Sequence, residues 1–148
     1  MASSSEMPAF VWNTRVRYAD TDTSGRIHYT SLFRYFEAAE QEFLRAIRHA
    51  YSGQHSGQSG AEIGWPRVHA ECDVSGPLVF DDEIGVEVSV SRLGNSSFEL
   101  SFRILKEDRE HAHGRVVIVC LDRKTQRSRP LPVEFAEALR SRMEPKEG

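Results

Sequence analysis

Cysteine, lysine and long apolar runs are all scarce in this 148-residue sequence. Its two cysteines, Cys72 and Cys120, lie far apart in segments that read as strands, with neither metal-ligand spacing nor a disulfide framework. That pattern supports two buried, reduced thiols in a cytoplasmic protein. No stretch is long enough to cross a bilayer, and residues 1–10 (MASSSEMPAF) carry neither a basic start nor an apolar run. Neither a signal peptide nor a membrane anchor is expected there. Lysine occurs only at Lys106, Lys124 and Lys146, and the formal net charge is −3. With no basic face or tail to neutralise a phosphate backbone, no nucleic-acid partner is expected. A Ser nucleophile elbow, a phosphate loop and a dinucleotide fingerprint are also missing.

The length suits one domain with its own core, and the 39% hydrophobic content suits a globular chain. Residues 1–9 read as a flexible tail, 10–143 as the domain and 144–148 as a second tail. Residues 10–19 alternate as a strand, with Trp12, Thr14, Val16 and Tyr18 on one face and Arg15 and Arg17 on the other. Leu32, Phe36, Ala39, Phe43 and Ile47 recur at helical spacing and predict a helix over 32–48, with Phe33 and Leu44 widening its apolar face. Thr30 or Ser31 is placed to cap it, and Glu37 and Glu40 read as part of its polar side. Residues 51–64 (YSGQHSGQSGAEIG) are Gly- and Ser-rich and read as a loop. Four strands follow, at 67–74, 84–93, 97–105 and 115–121, joined by turn-like segments that include KEDREHAHG. A terminal helix over 133–143 completes the series. One strand, one helix and then a run of antiparallel strands make an α+β fold rather than alternating βαβ.

The chemistry concentrates at residues 20–29, DTDTSGRIHY, where two carboxylates sit on a Gly-containing turn directly before the helix. Free N–H groups at a helix start can hold an oxyanion while a neighbouring carboxylate acts as base or nucleophile. A calcium loop is the rival reading, since Asp20, Asp22, Ser24, Gly25 and Ile27 fall at EF-hand positions. The twelfth position, however, is Ser31 instead of a bidentate Glu, and the incoming segment alternates like a strand. Turn chemistry alone would explain either aspartate; Gly25, His28 and Tyr29 beside the pair favour a site. His111 and His113 share a strand face or turn, but no third metal ligand is indicated, so no metal is expected.

The run from Tyr18 through Asp22, Gly25, His28 and Tyr29, followed by an aromatic-rich helix, resembles the 4-hydroxybenzoyl-CoA thioesterase family of hot-dog proteins, which includes thioesterases associated with the Tol-Pal system. Gly76-Pro77 before Asp82-Glu83-Ile84, the stretch Leu93-Gly94-Asn95-Ser96-Ser97, and Val119 to Asp122 leading into Arg129-Pro130-Leu131-Pro132 fit the same family. The resemblance covers about residues 10–139. It implies a hot-dog fold, a curved antiparallel sheet wrapped around one long helix. It also implies sheets joined edge to edge in a homodimer or homotetramer, with active sites at the dimer interface. Carried over by position, Asp22 matches the family's catalytic carboxylate, and the Tyr29 backbone N–H matches the group that polarises the thioester carbonyl. His28 becomes an optional helper that orients water or packs against the acyl group. Gly25 allows close backbone approach, and Arg92, Ser96 and Ser97 fall where the family holds coenzyme A. The family often has Tyr-His where this chain has His28-Tyr29, which bears on the acyl pocket.

The resemblance therefore implies an acyl-CoA thioesterase with Asp22 as nucleophile or general base. No cofactor is expected, coenzyme A being part of the substrate. An acyl-ACP thioesterase and a non-catalytic acyl-CoA binding protein remain as alternatives. A hot-dog dehydratase is less favoured, because the expected Asp/His dyad spacing is absent.

Overall fold

The structure, a computed structural model, describes residues 9–47 and 62–143. The expected tail at 144–148, the expected tail at 1–9 apart from Ala9, and the expected loop at 51–64 apart from its last three positions lie outside the described residues.

Strand β1 spans Phe10–Arg15 and is shorter than the alternation suggested. The chain leaves the sheet at Tyr18–Asp20, a single 3-10 turn. Thr21 holds that turn, its backbone N–H and its hydroxyl both donating to the Tyr18 carbonyl at 3.1 and 2.7 Å. Tyr18 consequently faces solvent instead of the core. Helix α1 spans Ser31–Ala46 and buries Leu32, Tyr35, Phe36, Ala39, Phe43 and Leu44 along one stripe. Phe33 does not join that stripe; it is exposed and meets Phe36 edge-on at 5.9 Å. Glu40 departs from its expected place in the opposite sense, being 2% exposed and ion-paired with Arg67.

After α1 come β2 (Ile63–Gly64), β3 (Arg67–Val74), β4 (Glu83–Leu93), β5 (Ser97–Lys106), β6 (Arg109–Val119), β7 (Leu121–Asp122), β8 (Arg127–Ser128) and α2 (Val133–Arg140). The large sheet is antiparallel in the order β1-β4-β5-β6-β3, and β2, β7 and β8 form a small second sheet. Two expected loop segments are strands. Ile63 pairs with Asp122 and is buried, which withdraws the end of the 51–64 segment from loop structure. Most of KEDREHAHG belongs to β6; the turn is confined to Glu107 and Asp108, both left-handed at φ 52° and 63°. Paired left-handed residues match the twist of the flanking strands and give a tight two-residue hairpin.

The register divides the large sheet into two unlike faces. One carries Val88, Phe102 and Gly114 in one row and Val86, Ile104 and Ala112 in the next, and α1 packs on it. The other carries Glu87, Arg103, His113 and Asp73 in one row, with Ser101, Arg115 and Glu71 in the row beside it. Ion pairs lace this second face: Arg103 with Glu87 and Glu110, and Arg115 with Glu71 and Glu99. Such pairs are individually weak at a surface, but here they share partners in a network.

Phe36 reaches the middle of the sheet from α1. Its ring stacks on Phe102 with centroids 4.7 Å apart and planes 10° from parallel. The space it fills exists because residue 114 is glycine: a Cβ there would lie 2.6 Å from the Phe36 ring and 2.2 Å from the Glu71 carbonyl oxygen. Because backbone and an aromatic ring must both move, Gly114→Ala is expected to cost about 3 kcal/mol, the upper end for overpacking. Chemical denaturation measures it, and an unchanged midpoint would show that α1 is not seated as described.

Candidate active site

The residues singled out from sequence form the start of α1 and a small hairpin leading into it. Asp20, Thr21 and Asp22 run antiparallel to Arg26, Ile27 and His28. His28 N donates to the Asp20 carbonyl at 2.7 Å, Thr21 bridges Ile27, and Asp22 N donates to the Arg26 carbonyl at 2.8 Å. Gly25 closes the loop by donating its N–H to the Asp22 carbonyl at 3.0 Å, at φ 83°, a left-handed conformation that glycine adopts without a Cβ penalty. The hairpin is tied to the large sheet just ahead of β4: Ile27 N donates to the Leu78 carbonyl at 2.7 Å, and Arg26 bridges Val79. Because the segment entering the turn is β1 and not a helix, the EF-hand alternative lacks its first half.

Asp22 is held in an Asx turn. Its Oδ1 accepts from the Ser24 backbone N–H at 2.8 Å and from the Ser24 hydroxyl, while Oδ2 has no partner among the described residues. The hydroxyl first and then the backbone N–H draw its pKa below the ordinary 3.8, and nearby His28 adds a smaller effect in the same direction. Hydrogen bonds to the charged form favour that form. At neutral pH the residue is therefore an ionised, exposed carboxylate with one free oxygen.

The helix start departs from its expected cap. Thr30 occupies the N-cap position, but its side chain makes no cap bond. His28 does this work instead: its Nδ1 accepts from the Thr30 N–H at 3.2 Å and lies 2.7 Å from the Thr30 hydroxyl. An Nδ1 that accepts an N–H leaves the proton of the neutral imidazole on Nε2, the nitrogen that faces away from the cap. The ring also stacks on Tyr29, centroids 5.0 Å apart. Tyr29 itself is exposed at its side chain. Its backbone N–H meets no acceptor among the described residues, although the neighbouring His28 carbonyl accepts from Ser31 N at 2.8 Å. In a trans peptide the C=O and N–H point in opposite directions. A carbonyl drawn into the helix therefore turns the Tyr29 N–H outward, toward whatever approaches the helix start.

The other expected substrate-binding residues are elsewhere. Arg92, Ser96 and Ser97 lie at the far end of β4 and the start of β5, whereas the Asp22 hairpin is tied to the segment that begins β4. Eleven residues of strand separate the two ends, roughly 30 Å at the usual rise per residue. One protomer does not bring the two sets together. His111 and His113 do not form a common site either. His111 Nδ1 lies 2.9 Å from the Pro77 carbonyl oxygen, while His113 pairs with Glu110 and Asp73. Among the described residues no group of three or more His, Cys, Asp or Glu is arranged to hold a metal ion.

Sequence reasoning gave Ser24 a place only in the calcium alternative and gave Arg34 and Tyr35 no part in the site. The Asp-x-Ser spacing ahead of a glycine was a legible signal for the Asx turn. The contacts of Arg34 and Tyr35 with Asp20 were not legible, since they cross from the helix back to the turn.

The antiparallel sheet and single long helix are shared with thioester-cleaving enzymes among the relatives. The family model described as thioesterase-like superfamily matches residues 16–139. The chain belongs to that superfamily, and its enzymatic class is thioester hydrolase. A 1,4-dihydroxy-2-naphthoyl-CoA hydrolase from Synechococcus sp. (strain WH7803) is 32% identical over 122 residues, covering 80% of each chain. Among solved structures, a gentisyl-coenzyme A thioesterase superimposes with TM-score 0.76 at 27% identity, over 88% of this chain and 99% of that one. A 1,4-dihydroxy-2-naphthoyl-CoA thioesterase from Synechocystis gives TM-score 0.81 at 20% identity, covering 89% and 96%, and so attests the hot-dog fold alone.

Removing the largest cause of the lowered Asp22 pKa moves it upward. A carboxylate with a depressed pKa stays ionised until the pH falls through that low value, so Asp22 titrates below its ordinary 3.8. Ser24→Ala is expected to move that titration to higher pH, as followed by NMR of the side-chain carboxyl carbon. A titration that stays in place would detach Ser24 from the ionisation of Asp22.

Proposed function

We propose that the protein hydrolyses an acyl- or aroyl-CoA thioester to the free acid and coenzyme A, with Asp22 as the reacting carboxylate. The observation that carries this reading is the outward Tyr29 N–H at the head of α1, which meets no acceptor among the described residues and directly follows the hairpin limb paired with Asp20 to Asp22. The N–H and the helix dipole behind it stabilise the oxyanion that forms when the thioester carbonyl is attacked. Asp22 acts in one of two ways. As nucleophile, its free oxygen bonds to the carbonyl carbon and the C–S bond breaks. The thiolate then takes a proton from water, and a second water opens the mixed anhydride to the acid and restores Asp22. As general base, it takes a proton from water as that water attacks, and the proton passes to the departing thiolate. His28, its Nε2 proton directed away from the helix cap, is placed to orient the water. Neither route draws on a metal or a redox cofactor. The substrates named for two of the relatives above 25% identity are aromatic acyl-CoAs, which favours an aroyl group here.

The site is completed by a second copy. Among the described residues strand β3 has a neighbour on one side only, and its Val68 and Val74 are 61% and 56% exposed. An open edge carrying exposed apolar side chains is suited to strand pairing between chains. The Arg67 end of β3 pairs with Ile118, beside Ser97, and its Val74 end pairs with Ala112, near the segment that holds the Asp22 hairpin. Antiparallel pairing of two β3 edges therefore sets Arg92, Ser96 and Ser97 of one protomer toward Asp22 of the other. The same arrangement lets a pantetheine arm run between subunits in a homodimer, or in a tetramer of such dimers. Contacts of α1 with β1 and β4, and of Phe36 with Phe102 and the Gly114 position, support a sheet curved around the helix. Two free cysteines fit a cytoplasmic location, and among the described residues no helix is long and apolar enough to cross a membrane.

Thiol release from acetyl-, palmitoyl- and benzoyl-CoA tests the chemistry. Asp22→Asn is expected to lower kcat by at least about 100-fold on the best of these while folding normally. Normal turnover by the variant would sink the assignment. No turnover by the wild type on any of them would point first to acyl-ACP and then to a binding protein. Val68→Lys is expected to yield a monomer on sedimentation and to abolish turnover with it. A monomer of full activity would refute the shared site.

A further inference from the structure

We infer that Asp20, through Arg34 and Tyr35, is a positioning residue that fixes the Asp22 carboxylate relative to the Tyr29 N–H. This rests on the reading of Asp22 and Tyr29 given above. Although Asp20 precedes Asp22 by only two residues, the two carboxylates have opposite surroundings. The Asp22 carboxylate is exposed and half free, whereas the Asp20 side chain is 13% exposed and fully engaged. Its Oδ1 accepts from Arg34 Nη2 at 2.6 Å and its Oδ2 from the Tyr35 hydroxyl at 2.7 Å. The Tyr35 oxygen in turn accepts from the Arg17 backbone N–H at 2.9 Å. Residues on both sides of the 3-10 turn are thus anchored to the first turns of α1. Tyr35 is 4% exposed, and burial, aided by the adjacent Asp20 carboxylate, pushes its hydroxyl up to about 12, so it remains a donor throughout the working range of an enzyme.

The Asp20 backbone extends the same anchorage. Its carbonyl accepts from His28 N at 2.7 Å, one end of the residue whose own carbonyl accepts from Ser31 N. The peptide linking His28 to Tyr29, whose N–H is the proposed oxyanion donor, is therefore steadied on one side by Asp20 and on the other by the helix. The side chain of Asp20 holds the helix, its carbonyl holds the donor's peptide, and the chain leads to Asp22 two residues later. Both reacting groups are referred to one junction. Catalysis by an oriented carboxylate and a fixed donor is sensitive to displacements of about 1 Å, which can cost as much as about 100-fold in rate.

The test uses the full-length chain and benzoyl-CoA, or whichever of the three thioesters is turned over fastest. Asp20→Ala is expected to lower kcat by about 10-fold or more while KM stays within about 3-fold, because placement of the reacting groups is lost and the thioester's handle is bound elsewhere. Tyr35→Phe, which removes a single oxygen, is expected to show a smaller loss of the same kind. The double variant should be no slower than Asp20→Ala, since both substitutions break one latch. Asp20→Asn keeps a carbonyl for Arg34 and an amide for the Tyr35 oxygen, and should recover most of the rate. An Asn variant as slow as the Ala variant would instead make Asp20 a reacting carboxylate. Wild-type kcat in Asp20→Ala, a loss carried wholly by KM, or additive losses in the double variant would each overturn the latch. If Asp20→Ala does not fold, Tyr35→Phe and Asp20→Asn decide alone, an unchanged kcat in Tyr35→Phe counting against the proposal. Full activity in Asp22→Asn is a separate outcome, which removes the underlying reading whatever Asp20 does.

Discussion

The stacking of Phe36 on Phe102, over a glycine, is the contact from which the rest of the arrangement follows. It sets how close α1 comes to the sheet and how the helix is rotated about its axis. Once Phe36 is seated, Leu32, Ala39 and Phe43 share its side, and Tyr35 one residue earlier is buried where it meets the turn leading out of β1. The helix start then lies where the segment ahead of β4 bonds to Ile27. A carboxylate-bearing hairpin and a helix N-terminus are placed together by packing at a distance, and local polar bonds make only the final adjustment.

Those local bonds divide labour between two aspartates that look alike in sequence. Asp20 is consumed by structure, with both oxygens and the backbone carbonyl engaged. Asp22 spends one oxygen on its own turn and keeps the other. Burial and bond count, more than residue type, separate the engaged carboxylate of Asp20 from the half-free carboxylate of Asp22. His28 caps the helix start with one ring nitrogen and turns the other away from it.

The elements whose core-facing residues are large were legible. Alternating Val and Ile announced β4, alternating Phe, Leu and Ile announced β5, and the Leu32-Phe36-Phe43 spacing announced α1. The first half of β6 was not legible, because its core positions are Ala112 and Gly114, kept small to admit the helix, while its outward positions are charged or His. A segment with no large apolar residue reads as a turn even where it lies inside a sheet. Ile63 was obscured by the polar, glycine-rich run before it. Glu40 broke the helical pattern because its charge is answered by Arg67, 27 positions away. At the site, the Asp-turn-helix outline was visible, but the cap was credited to a hydroxyl when an imidazole two residues earlier had taken the acceptor's place. The separation of Arg92 and Ser96 from Asp22 was invisible as well, since a linear pattern carries no sign that β4 runs its full length between them.

The ion-paired face of the sheet has a consequence for how the chain finds its fold. Side chains alternate strictly across a strand, so a slip of one position in the pairing would turn Glu87, Arg103 and Arg115 inward against the helix and expose Val88, Phe102 and Val116. Burying even one such charge without its partner costs several kcal/mol. Misaligned sheets are therefore excluded during collapse by what they would have to hide, as well as by what the native alignment gains. The charges of that face act as a proofreading device for the strands beneath them.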